Sequence, residues 1–373
     1  MKIDRRFIKN FDWITLIVII VLTLIGVMTI YSATRPPIGM GGQPDFYTRQ
    51  LVWLALSIVV LFVITSFDYI WLYRLSYPLY GIGLLLLAVV LVMGKSSMGA
   101  QRWLNLGFFS FQPSEFFRIF FIIAFSSYLS NLGKDGKGSI PVKGLILFGL
   151  IPLILLVKQP DLGTAILLLA LLAALAISKG ISRSIVVLAL ILGLVALPFV
   201  GHIFWDGLKD YQKNRLIAFM DPDVDPAGIG YHISQSKITI GSGELIGKGY
   251  LKGTQGPLRF LPEKHTDFIF AVFAEEWGFV GCITMVGIYL ILFLRGLDTA
   301  VKAKDEVGRL MAIGITAMFF VYFIVNIGMT LGMMPVVGIP LPFVSYGGTS
   351  LLSNFIAAGI LISIRTRRFE LFY

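Results

Sequence analysis

Charge is scarce in this sequence: Asp, Glu, Lys and Arg make up 14% of 373 residues. A soluble domain carries about 25%, so a chain this poor in charge cannot clothe a water-exposed globule. Cysteine is nearly absent. Cys282 is the single one and sits in an apolar run, which excludes an intramolecular disulfide and leaves the redox compartment unread. Histidine is rare as well, and His202, His232 and His265 share no ligand spacing, so no metal cluster is legible. There is no P-loop, no nucleotide fingerprint, no Ser or Cys nucleophile motif, and no repeat of roughly 20–50 residues.

What fills the space is apolar. Hydrophobic residues make up 57% of the chain and the mean hydropathy is +0.84. These values define an integral membrane protein, and the length suits one helical bundle, a single domain over 1–373. The net charge of +10 reads as a positive-inside bias, and no nucleic-acid partner is expected. The N-terminal MKIDRRFIKNFDW resembles a signal n-region, but the apolar run from Ile14 to Tyr31 is too long for a signal core. An uncleaved first helix is expected.

A run of roughly 17–25 apolar residues is enough to cross a bilayer. Ten such runs predict an all-α polytopic protein: 13–32, 50–67, 75–94, 113–131, 142–157, 162–178, 185–204, 268–294, 309–332 and 345–364. Lys158-Gln159-Pro160-Asp161 interrupts two of them and predicts a tight hairpin, because such groups cannot face lipid. With the N-terminus inside, the inner segments hold 17 Lys and Arg and the short outer loops 5. Both termini are therefore expected in the cytoplasm. One outer loop, 205–266 between helices seven and eight, is long enough to expect function. Its second half, from Lys237 to Lys264, holds five basic residues against Glu244 and Glu263 and is rich in glycine. A cationic, glycine-rich loop suits an anionic ligand; a water-facing loop explains it equally well.

Polar residues stand out against this background. The stretch FLPEKHTDFIFAVFAEEWGFVG carries Lys264, His265, Thr266 and Asp267 at the head of an apolar run, with Glu275 and Glu276 about two turns on. Carboxylates at membrane depth are costly, by at least ~2.5 kcal/mol at the centre. Asp267 reads either as a helix cap or as a functional acid. Glu115 and Arg118 lie three apart on one helix face and read as a pair, or as a phosphate site through Arg118. Asp161 reads as a cap for the sixth helix. In this topology Glu115, Asp161 and Asp267 all fall near the outer face. GAQRWLNLGFFSFQPSE is too polar and too short to span and predicts an interfacial or re-entrant segment, while PVVGIPLPFVSYGGTS predicts irregular backbone that is buried or lines a cavity.

GAQRWL, QPSE, QPDLGTA, YHISQSKITIGSG, GKG, FLPEKHTDFIFAVFAEEWGFVG and GIPLPFVSYGGTS occur in order over nearly the whole chain. Together they resemble the signatures of the SEDS family of membrane glycosyltransferases. YHISQSK, GKGYLKGTQ and PVVGIPLPFVSYGG are similar to the elongation member; the division paralogue usually has Thr-Lys-Gly at Val336-Val337-Gly338. The resemblance implies polymerisation of lipid II into glycan strands at the bacterial inner membrane, with inversion at the anomeric carbon. It implies a class B penicillin-binding protein as partner, docking on helices eight and nine. It places the essential acid at Asp267, as general base, and polar cavity residues at Arg102, Glu115, Asp161, Gln235 and Ser236. Arg118, Lys248, Lys264, His265, Thr266, Ser345, Tyr346 and Gly347 complete the expected substrate site. A divalent cation, Mg or Mn, is a further candidate for the leaving charge. The chain departs from the family pattern at Arg118, commonly Lys, and at Glu244, commonly Gly. A lipid II flippase or a non-enzymatic scaffold is the competing class.

Overall fold

The computed structural model describes residues 10–35, 46–97, 100–105, 107, 110–132, 142–180, 213, 229–254 and 263–369. The expected span 185–204, Arg259 and most of the first half of the long loop lie outside these residues. The chain divides into two compact units. One comprises Met1–Ser66, Asn214–Arg295 and Phe319–Ile362; the other comprises Phe67–Lys213, Gly296–Met318 and Ser363–Tyr373.

The helices are α1 (Trp13–Thr34), α2 (Phe46–Ser66), α3 (Tyr69–Arg74), α4 (Ser76–Met93), α5 (Pro113–Asn131), α6 (Val142–Leu145), α7 (Ile151–Lys158), α8 (Leu162–Ser178), α9 (Ile229–Gly241), α10 (Ile269–Val301), α11 (Glu306–Thr330) and α12 (Gly348–Thr366). Among them α1, α2, α4, α10, α11 and α12 are long and apolar enough to cross a membrane. The chain is thus a mainly helical, multi-pass protein. One departure from the all-α expectation is a small antiparallel sheet, β1 (Lys95–Ser97), β2 (Ala100–Asn105) and β3 (Ser110–Phe111), in that order. The segment expected to be interfacial or re-entrant supplies β2 and β3.

In the first unit, Asp12 caps α1. Its carboxylate accepts from the Thr15 hydroxyl at 2.5 Å and from the Arg295 guanidinium. The segment between α11 and α12 is irregular, and its part from Val336 to Ser345 is mostly buried. Buried backbone must still find partners, and three side chains from spanning helices supply them. Asn326 Nδ2 donates to the Ile339 carbonyl at 2.7 Å, and Tyr289 Oη donates to the Pro342 carbonyl at 2.5 Å. Gln50 donates to the Ser345 carbonyl and accepts from the Gly347 amide, both at 3.3 Å.

In the second unit, Pro152 has no N–H to offer Phe148, and the chain widens into a π turn at Ile146–Leu150. The Ile151 amide bonds to the Ile146 carbonyl, and the displaced Leu147 carbonyl accepts from Tyr80 Oη at 2.7 Å. Phe117, Phe121, Phe125 and Phe148 pack around this point as a buried aromatic core. The expected hairpin forms: α7 ends at Lys158, and Asp161 caps α8 by accepting from the Thr164 amide at 3.2 Å and hydroxyl at 2.8 Å.

Candidate active site

In the first unit the site residues cluster on the turn leading into α10. That helix begins at Ile269, so Phe268 is the residue directly before it and Asp267 stands one residue further out. The turn is fixed through its main chain. Asn326 Nδ2, besides holding Ile339, donates to the Asp267 carbonyl at 3.0 Å. Ser345 Oγ donates to the Thr266 carbonyl at 2.7 Å and accepts from the Leu341 amide at 2.8 Å. The Tyr346 amide donates to the His265 carbonyl at 2.9 Å. The irregular segment 339–347 thus grips the backbone of His265 and Thr266, and Asn326 of α11 that of Asp267, which stays partly exposed.

The neighbouring side chains divide by task. Thr266 spends its hydroxyl on the Glu263 carboxylate at 2.8 Å. The rings of His265, Phe46 and Tyr346 form a cluster with centroids 4.6–5.6 Å apart. Burial pushes the His265 imidazole below its ordinary pKa; Glu263 opposes this and Lys264 adds to it. Ser236 is fully buried and donates to the Thr330 carbonyl at 2.7 Å, which anchors α9 to the end of α11. Gln235 is partly exposed on α9, and its carbonyl accepts from Thr239.

The second acidic pair on α10 is built differently. Glu275 and Glu276 are 0% and 1% exposed. Glu275 accepts from Lys248 Nζ at 2.7 Å and from the Thr254 amide and hydroxyl, each at 2.9 Å. Glu276 accepts from the Ser32 hydroxyl and, at 3.1 Å, from the Leu251 amide. Just beyond them α10 is broken at Gly278, where φ is 63° and ψ −164°. A continuous helix would bond the amides of Phe279 and Val280 to the carbonyls of Glu275 and Glu276. Here the turn 244–249 takes both sides of the break. Phe279 and Val280 donate to the carbonyls of Glu244 and Leu245, while Lys248 and Gly249 donate to those of Glu275 and Glu276. Gly247, at φ +78°, makes this possible, since a Cβ there would lie 2.2 Å from the Glu276 carbonyl oxygen.

In the second unit, the Arg118 guanidinium meets Glu115 at 2.5 Å, and both residues are buried. The Arg102 guanidinium donates to the Pro160 carbonyl and lies 3.6 Å from Asp161. The four expected residues of this unit therefore form two ion pairs. Reading the sequence for chemistry missed Asn326, Gln50 and Tyr289. Their signal was present, since an amide or phenol inside an apolar span needs a partner.

Up to this point the molecule defines a class, a multi-pass membrane protein with a clamped acidic turn at the head of a broken helix. Comparison with known proteins narrows it. The FtsW/RodA/SpoVE model, described as a cell cycle protein, matches residues 12–370. The chain is 40% identical over 360 residues to the peptidoglycan glycosyltransferase MrdB of Escherichia coli K12, spanning 96% of this chain and 94% of that protein. It is similar, at 30% identity and a TM-score of 0.79, to a chain in a structure on coordination of polymerization and crosslinking by a peptidoglycan synthase complex, covering 96% of this chain and 99% of that one. The crystal structure of the rod shape determining protein RodA from Thermus thermophilus is similar at 29% identity and a TM-score of 0.70, over 96% and 98% of the two chains. This chain belongs to the FtsW/RodA/SpoVE family.

Proposed function

We propose that this protein is a peptidoglycan glycosyltransferase that polymerises lipid II and lipid-linked glycan during cell elongation, with Asp267 as general base. The carrying observation is that Asp267 stays partly exposed while the backbone around it is gripped by Asn326, Ser345 and Tyr346. A base must be held still and still reach its substrate. The acceptor sugar hydroxyl attacks the anomeric carbon of the donor, a new C–O bond forms, and the bond to the lipid pyrophosphate breaks from the opposite face. Asp267 takes the hydroxyl proton, the leaving oxygen takes the electron pair, and the configuration inverts.

Pyrophosphate gains charge as it leaves, so a fixed cation stabilises the transition state. Lys264, three residues before Asp267, and Lys248, whose ammonium meets buried Glu275, are both candidates. His265, Tyr346 and Gly347 would line the substrate site beside Asp267, while Gln235, Ser236, Thr266 and Ser345 shape it. Arg102, Glu115, Arg118 and Asp161 are proposed as further polar contacts for the substrate. Among the described residues no three His, Cys, Asp or Glu side chains form a metal-holding group, so no step is assigned to a Mg or Mn ion; a chelator titration tests that candidate.

The reading extends to topology and partner. We place ten spans in the bacterial inner membrane as one domain, both termini in the cytoplasm and 205–266 outside, with a class B penicillin-binding protein as the cross-linking partner on α10 and α11. Purified protein supplied with labelled lipid II, with and without that partner, tests the activity. Polymer formation supports the transferase. Lipid II translocation across vesicles without polymer would show a flippase instead.

A further inference from the structure

The turn 244–249 has a feature that its role in closing the helix break does not explain. Its tip is apolar and exposed: Leu245 is 69% and Ile246 82% accessible. It is bonded edge to edge with Phe279 and Val280, themselves 57% and 58% accessible, through the Val280 amide and the Leu245 carbonyl. From there the outward apolar residues of α10 continue through Ile283 along the spanning part of the helix. The part of α10 from Gly278 to Val301 rises roughly 35 Å, enough by itself to cross about 30 Å of hydrocarbon. Near the tip, Lys252 is exposed, lies against Gly249, and has no ion-pair partner among the described residues. Apolar residues at the tip and a cation a few residues away are what a lipid–water boundary accepts.

We propose that this turn is a lipid anchor. Leu245 and Ile246 enter the acyl region of a phospholipid leaflet, and the Lys252 ammonium meets the headgroup phosphates. The anchor fixes the loop that holds α10 open at Gly278. The idea depends on the geometry of the break and not on the glycosyltransferase reading.

The test uses the full chain with Cys282→Ser and Ile246→Cys, nitroxide-labelled and reconstituted alone in phosphatidylethanolamine–phosphatidylglycerol vesicles. Power-saturation EPR compares collision with oxygen, which partitions into lipid, and with a water-soluble nickel chelate. The proposal expects oxygen accessibility to exceed nickel accessibility severalfold. Nickel accessibility at or above that of oxygen would put the tip in water and overturn it. Low accessibility to both would show a protein covering and overturn it too. Leu245→Cys, carried in parallel, gives the same reading if the Ile246 variant fails to fold.

Discussion

Two acidic sites stand eight residues apart on one segment, and they are built differently. Glu275 and Glu276 are sealed from solvent and surrounded by donors from Lys248, Thr254, Ser32 and Leu251. Asp267 is partly open, and Asn326 holds its main-chain carbonyl. A carboxylate near lipid is therefore no functional signal by itself. Glu275 is buried and held by three donors, whereas Asp267 keeps part of its surface open on a clamped backbone.

The sharpest contrast comes from neutralising each site. Asp267→Asn should leave thermal stability near wild type and cut polymerisation by roughly 10²–10⁴, the usual contribution of a positioned base. Glu275→Gln should do the reverse in kind. It strands Lys248 and costs stability toward the low end of ~3–5 kcal/mol, since Lys248 keeps a 30% exposed side chain. Melting curves in detergent beside an activity assay separate the two.

The pair in the second unit is the next test. Glu115→Gln and Arg118→Gln should each destabilise by ~3–5 kcal/mol, because each leaves a buried charge without its counterpart. The double variant should lose less than the sum. Additive losses would mean that the two side chains do not act as a pair.

A smaller effect is expected at the break itself. Gly278→Ala forces an L residue into a conformation costing ~1–3 kcal/mol, and its Cβ would lie 2.2 Å from the Gly247 amide nitrogen. The turn should detach, read as faster hydrogen exchange at 244–254. Unchanged exchange would show that the turn is held by other contacts.

The smallest is a pH effect at His265. Burial lowers its folded pKa beneath the ordinary 6.5. The associated stability is present above pH 6.5 and is lost as pH falls from there toward the folded value. Melting temperature should drop over that window, and His265→Gln should flatten the drop.

The sequence carried some of this and hid the rest. The hairpin at Lys158–Asp161, the cap at Asp161 and the buried irregular segment before α12 were legible, because proline, glycine and acid act locally. The sheet at β1–β3 was not, since strands of two to six residues among aromatics leave too short a period to read. Nor was the break at Gly278. A glycine in an apolar run is ordinary in a membrane helix, and only the arrival of 244–249 marks this one. Helix α9 lay hidden in a loop for a similar reason, because Ser236 has meaning only against Thr330. The acid at 267 was visible, but its clamp was not, since Asn326 and Gln50 come from distant helices.

The most direct test of the central claim is the initial rate of labelled lipid II polymerisation by the purified Asp267→Asn variant with its cross-linking partner present. The substitution keeps shape and the backbone grip and removes the carboxylate charge. A rate at least about 100-fold below wild type, with an unchanged melting temperature, is predicted. Polymerisation at the wild-type rate would contradict the assignment of Asp267 as the base.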